Sequence, residues 1–307
     1  MTSLGFVLLT HTRPKQIARL ISTLNRMFVC PPIACHHDFG QCNLPTDIFT
    51  SNVSFVQPPI PTRWARFSVI DGMFRALETM YNSENSPDWF ILLSGTDYPI
   101  KPAERILEDL SASTYDAHIH YEKIIYKNYK TDWQELCYER YCTARFSIPF
   151  ENPYVKVDHR LPQLTRRVVT LRHPILTKIF LPFSQRLHCF AGEFWFTANR
   201  KTAKYLIEYH KTQPALAAHY RKLEKFNIMF PEESYCQTVL CNSNLKISSN
   251  HWRYIDWSQG WAPRTLLLED FDRLEKCTAH FARKFDADKD SSVLDALDKL
   301  IVNGCSN

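Results

Sequence analysis

The sequence predicts an α/β fold with a mostly parallel central sheet flanked by helices. Three observations predict it. Short apolar runs alternate with segments of helical periodicity through the first third of the chain. The runs are continuous rather than alternating, as in strands buried on both faces. The helical segments between them are about 10–18 residues long, the spacing of βαβ units.

In order, the run 5–10 reads as a buried strand. Pro14 opens a helix at its first turn, with Ile17, Leu20, Ile21 and Leu24 at helical spacing. Segments 32–35 and 52–56 are short strands, and 64–81 is helical through Phe67, Ile70, Phe74 and Leu77. A strongly apolar strand at 89–93 leads to a helix over 102–110. The stretch from about 115 to 180 is less regular, rich in Tyr, Lys and Arg, with a basic run over 159–172 that includes Arg166, Arg167 and Arg172. That run reads as a solvated face, or as a membrane-surface or acceptor-binding patch. Regularity returns with a strand at 194–197, helices at 201–210 and 232–240, a segment at 252–257, an extended stretch at 265–268 and a last helix at 292–302. With no linker and no internal repeat, residues 1–307 form one domain.

Composition narrows the classes. The chain is 45% hydrophobic and 22% charged, the balance of a globular protein with a sizeable core. The net charge of +5 admits an anionic ligand but is too small and too dispersed for a nucleic-acid binder. The apolar runs near 4–9 and 175–183 fall short of the roughly 20 residues that span a bilayer, and the N-terminus lacks the pattern of a secretory signal. A cytoplasmic protein is expected, with peripheral membrane contact as an option. Its ten cysteines have no C-x-x-C spacing and read as reduced, mostly buried thiols. In that setting the sequon Asn52-Val53-Ser54 has no meaning.

Glycine-rich phosphate loops, a G-x-S-x-G elbow and an H-E-x-x-H motif are all missing. Only seven glycines occur, and three of them, Gly95, Gly192 and Gly260, sit beside aromatic and acidic residues. Ser94-Gly95-Thr96-Asp97-Tyr98-Pro99 follows an apolar strand, where open α/β sheets bind ligands. A plain strand-to-helix turn is the competing reading.

The stretch Ser94-Gly95-Thr96-Asp97-Tyr98-Pro99-Ile100-Lys101 resembles the signature turn of the core-2/I-branching β-1,6-N-acetylglucosaminyltransferases and peptide O-xylosyltransferases. Further blocks are similar in the same order: Thr10-His11-Thr12-Arg13-Pro14, Ala34-Cys35-His36-His37-Asp38, 64–77, 192–197, Pro231-Glu232-Glu233-Ser234-Tyr235, Arg253-Tyr254-Ile255-Asp256-Trp257, Pro263-Arg264-Thr265 and Phe281-Ala282-Arg283-Lys284-Phe285-Asp286. The resemblance covers nearly the whole chain except about 120–180. It implies a GT-A-like fold, with residues 1–115 binding a nucleotide sugar and 116–307 binding the acceptor and carrying catalysis.

The resemblance also implies an inverting, metal-independent transfer from a UDP-sugar, GlcNAc or xylose, to a hydroxyl of a glycan acceptor. Glu233 falls at the family's general-base position, with Glu232 as the alternative. From the residues alone, an acidic pair opening a helix also suits the helix dipole. Arg264 and Lys284 match the two residues that contact the diphosphate, and Arg283 is able to share that role. Asp97 is a lone carboxylate where a metal-dependent enzyme carries a pair, a poor site for a hard cation. Asp286-Ala287-Asp288 spells such a pair, but its place far downstream reads as structural. Asp38, His11 and Arg13 are placed near the nucleotide, and Trp257, Glu193 and Trp195 at the acceptor. A satisfied core histidine is the other reading of His11, and core packing that of Trp195.

Animal members carry a membrane anchor. This sequence starts at the catalytic region, which suits a bacterial-type cytoplasmic enzyme of glycan biosynthesis. The alternatives are a non-catalytic glycan-binding module, a metal-dependent transferase using Asp97 or Asp286 and Asp288, and a DNA-modifying glycosyltransferase suggested by the basic run.

Overall fold

The computed structural model describes residues 2–82, 86–150, 165–173, 175–260 and 262–303. The chain begins with β1 (Leu4–Thr10), α1 (Pro14–Phe28), β2 (Ile33–His37), β3 (Val53–Phe55), α2 (Phe67–Tyr81), β4 (Trp89–Ser94), β5 (Tyr98–Pro99) and α3 (Ala103–Ala112). It continues through β6 (Ala117–His118), β7 (Glu122–Lys123), α4 (Asp132–Tyr141), the hairpin β8 (Ala144–Phe150) and β9 (Thr165–Leu171), α5 (Thr177–Phe180), β10 (Phe190–Ala191), β11 (Thr197–Asn199), α6 (Arg200–Thr212) and α7 (Pro214–Glu224). A 3-10 turn at Pro231–Glu233 precedes α8 (Tyr235–Cys241), β12 (Ile247–Ser248) and β13 (Arg253–Ile255). A second one at Leu268–Asp270 precedes α9 (Phe271–Lys276), β14 (Phe281–Arg283) and α10 (Ser292–Asn303).

Seven strands form the main sheet in the order β12-β6-β11-β4-β1-β2-β3. Neighbours are parallel except β11, which runs antiparallel to both β4 and β6. The mixed α/β architecture with a mostly parallel sheet is as the sequence predicts. All seven residues of β1 are buried, and they serve two cores. Val7 and Leu9 pack with Phe74, Leu77 and Tyr235 on one face, whereas Phe6 and Leu8 pack with Leu20, Leu24, Phe281 and Leu297 on the other. Burial on both faces is why the run is continuous. α1 starts with Pro14 at its first turn, and its buried stripe is Ile17, Leu20, Ile21 and Leu24.

Three expectations are corrected. The strand expected at 194–197 is Thr197–Asn199; before it Gly192 N donates to Glu233 O and Glu193 O accepts from Gln237. The helix expected over 232–240 is broken at Ser234, whose hydroxyl donates to Phe190 O at 2.7 Å and holds the chain out of register. Residues 265–268 form no strand; Leu266 N donates to Lys284 O at 2.9 Å and the chain then turns at Leu268–Asp270. Of the basic run, 159–164 lies outside the described residues, as does Cys305. The nine described cysteines are free, and five of them are buried. No helix among the described residues is long and apolar enough to cross a membrane.

Candidate active site

A small sheet assembles the site. β5, directly after the Asp97 turn, pairs antiparallel with β14, which pairs parallel with β13. Thr96 O accepts from Phe285 N at 2.9 Å, and Asp256 O accepts from Arg264 N at 2.8 Å. Gln16, in the first turn of α1, fastens the same region: its amide donates to Gly95 O and Phe285 O at 3.0 and 3.1 Å and accepts from Ala287 N at 2.9 Å. Segments far apart in sequence therefore meet beyond the end of β4, where an open sheet offers its ligand site.

A second junction brings in the carboxylates. Gly192 N donates to Glu233 O at 2.8 Å, and Gln237 donates to Glu193 O at 2.7 Å. A Cβ on Gly192 would stand 2.0 Å from His120 O, so only glycine lets these chains approach.

The acidic end consists of Glu233, Glu232 and Glu193. The Glu233 carboxylate is 3.2 Å from the Arg140 guanidinium. Burial pushes its pKa up to about 7, with Arg140 opposing and Glu193 adding to the rise. Glu232 is pushed up to about 8, chiefly by burial and further by Glu233, and its Oε2 is enclosed with no hydrogen-bond partner. Glu193 is also raised by burial, against the pull of Arg283 and a hydrogen bond from Trp257. Arg283 lies 4.6 Å over the Trp195 ring, and its Nε is 3.5 Å from Asp97 Oδ1. Asp97 Oδ2 accepts from the Ser94 hydroxyl and amide, which fixes the turn. Below them Arg253 is a buried cation held by Leu92 O, Phe196 O and Thr197, and burial lowers its pKa to about 10.

The basic end holds Lys284, Arg13 and His11. Lys284 is partly buried, and its pKa is lowered by burial and by Arg283 and Arg13, with Asp97 and Asp286 opposing. Among the described residues no hydrogen bond or ion pair engages its ammonium. Arg13, in a left-handed conformation before α1, reaches Asp286 at 2.7 Å. His11 senses the charges of Asp38, Lys284 and Arg13. Arg264 differs: both Asp256, at 2.9 Å, and Asp270 grip it, which holds its pKa above the usual guanidinium range.

The structure thus gathers Glu233, Glu193, Trp195, Trp257, Asp97, Arg283, Lys284 and Arg264 into one region. Trp257 is 42% exposed there. Asp38 stands nearby but is occupied: Thr62 N and Oγ1, Gln41 and Gly40 N all donate to it. Burial would raise its pKa, yet these bonds outweigh burial and hold it low. Asp286 spends its carboxylate on Arg13 and on Asp288 N, the structural part expected of that pair. No three His, Cys, Asp or Glu among the described residues are grouped to hold a metal ion. Two open hollows, of about 560 and 290 Å³, contain none of the site residues. Arg140 and Asp270 carried no motif signal, and Asp256 stood in a motif without a role; the folded chain shows their partners.

Class and family follow from this arrangement taken with sequence comparison. Part-buried carboxylates and an exposed tryptophan stand together with cations at the end of an α/β sheet. The Core-2/I-Branching enzyme family model matches residues 46–278, and the chain belongs to that family. It is similar to beta-glucuronosyltransferase GlcAT14B of Arabidopsis thaliana, 27% identical over 69% of this chain and 43% of the relative. It is also similar to xylosyltransferase 2 of Rattus norvegicus, 23% identical over 77% of this chain and 26% of the relative. Beta-glucuronosyltransferase GlcAT14A of Arabidopsis thaliana is 26% identical over 70% of this chain and 43% of the relative. The chain spans less than half the length of these relatives.

Proposed function

We propose that the protein is an inverting GT-A-like transferase that moves a sugar from a UDP-sugar to a hydroxyl of a glycan acceptor without a divalent metal. The observation that carries this reading is Glu233: a carboxylate 3.2 Å from Arg140, raised to about 7 by burial, and beside Glu193, which Trp257 and Arg283 reach. A general base works best with a pKa near the working pH.

In one displacement the acceptor oxygen attacks the anomeric carbon and the bond from that carbon to the diphosphate oxygen breaks. The acceptor proton passes to Glu233, and UDP leaves with the bonding pair. Lys284 stabilises the charge growing on the diphosphate, and Arg264 shares this from a position locked by two carboxylates. The enclosed Glu232 oxygen, which has no partner, favours Glu233 as the base. The names of the relatives add glucuronic acid to GlcNAc and xylose as donor sugars to test.

The test is UDP release from UDP-GlcNAc, UDP-xylose, UDP-glucuronic acid, UDP-glucose and UDP-galactose, with acceptor glycans, in EDTA and in Mn²⁺. One donor is expected to turn over in EDTA, with kcat/KM rising with pH through about 7 as Glu233 loses its proton. Glu233→Gln is expected to cost about 10²–10⁴-fold with UDP binding intact. Turnover that needs Mn²⁺, or an active Glu233→Gln, defeats the reading.

A further inference from the structure

We propose that Arg140 is the positioning residue of the base, an assignment that rests on the reading of Glu233. It comes from α4, in the part of the chain that carries no motif. Arg140 Nη1 lies 3.2 Å from Glu233 Oε2, and its guanidinium sits 4.7 Å over the Phe230 ring. Among the described residues no other cation is paired with Glu233.

The arrangement is braced from several directions. The next residue on α4, Tyr141, donates its hydroxyl to Phe230 O at 2.6 Å. Phe230 N donates to Ala65 O at 3.0 Å, and Glu233 N donates to Phe230 O at 3.1 Å. The Trp64 ring stands edge-on to Phe230, with centroids 5.1 Å apart. Two adjacent side chains of α4 therefore hold both the backbone that precedes the base and the base itself. Phe230 is the fixed floor on which the guanidinium rests.

The charge around Glu233 is otherwise unfavourable to a carboxylate. From α4 it faces Cys137 and Tyr141, both kept neutral by burial. From the segment after β10 it faces Glu193, and Glu232 adjoins it in its own turn. Among the described residues Arg140 alone favours the ionised form. Without it, burial and two acids would act on Glu233 unopposed. Arg140 thus does two things: it orients one carboxylate oxygen, leaving the other for the acceptor proton, and it keeps the base ionised at neutral pH.

The experiment is the pH profile of kcat/KM for Arg140→Met and Arg140→Lys beside the wild type. An opposite charge within about 4–6 Å lowers a carboxylate pKa by about 1–3 pH units. The acidic limb of Arg140→Met is therefore expected to move up by about that much, with loss of at least tenfold at pH 6 and recovery toward pH 9. Arg140→Lys is expected to keep its limb close to that of the wild type. A purely structural role would lower the rate by the same factor at every pH and leave the limb in place, which overturns the proposal. Should Arg140→Met fail to fold, Arg140→Gln is measured in its place against the same two outcomes. Glu233→Gln separates the two readings. If it keeps turnover, Glu233 is not the base and both fall. If it is inactive while the limb of Arg140→Met stays put, only the role of Arg140 falls.

Discussion

The two ends of the site handle charge in opposite ways. At the acidic end three carboxylates crowd together under burial, and Arg140 alone is paired with Glu233 among the described residues. At the basic end Lys284 is near Arg283 and Arg13 and has its protonated form disfavoured. Neither end is at ease by itself. Glu233 titrates near neutrality, which suits the base proposed for it. The basic end disfavours its own positive charge, which suits the anionic diphosphate proposed there. Arg264 marks the contrast, since it already has two carboxylates and its charge is largely answered. Arg264 is fixed by its two carboxylates in the place from which it shares the proposed contact, whereas Lys284 has two cations near it that Asp97 and Asp286 only partly oppose.

The largest effect that would break this comparison is at Lys284. Lys284→Met is expected to lower kcat/KM by about 10²–10³-fold, the scale of losing one stabiliser of transition-state charge. UDP affinity measured by calorimetry is expected to fall with it while the melting temperature holds. Unchanged UDP affinity would show that Lys284 does not meet the diphosphate. Arg264→Met is expected to behave differently, because it leaves Asp256 and Asp270 with only the more distant and exposed Arg273, at 3.6 and 3.8 Å. A loss of roughly 2 kcal/mol in stability is expected, a drop of several degrees in Tm. If Arg264→Met costs only UDP affinity and no stability, its carboxylates are not the scaffold argued here.

Much of the fold was legible because its first third writes local rules in the sequence. β1 and β4 are buried on both faces and so read as continuous runs, and α1 has a proline start and an apolar stripe. The middle was not legible for a physical reason. α4 buries Gln134, Cys137, Tyr138 and Tyr141, a stripe of polar and amphipathic side chains with weak contrast to its exposed face. α7 did carry a signal that went unread: Pro214 at its start, then Leu216, Ala217, Tyr220 and Leu223 buried on one side. At the site, residues within motifs were found by resemblance. Arg140 pairs with Glu233 far along the sequence, and Arg264 is gripped across loops by Asp256, which stands in a motif, and by Asp270, which does not; no local pattern announces such pairings.

The smallest expected effect tests whether the acidic end is strained in the ionised form. Glu232 has a folded-state pKa of about 8, above the ordinary 4.5. For a group raised on folding, the stabilising contribution is complete below about 4.5 and is lost as pH climbs through about 8. Glu232→Gln cannot ionise, so its stability relative to the wild type is expected to grow between pH 5 and pH 9. Part of the residue meets solvent, and screening holds the change to about 1 kcal/mol. Denaturant melts of both proteins at a series of pH values measure the difference directly. The buried His118, His219 and His280 have pKa values lowered to about 4, so they weaken both proteins equally in acid and cancel in the comparison. A flat difference would mean that Glu232 finds water or a partner for its enclosed oxygen. The acidic end would then owe its raised pKa values to Glu233 and Glu193 alone, and the contrast with the basic end would narrow to that pair.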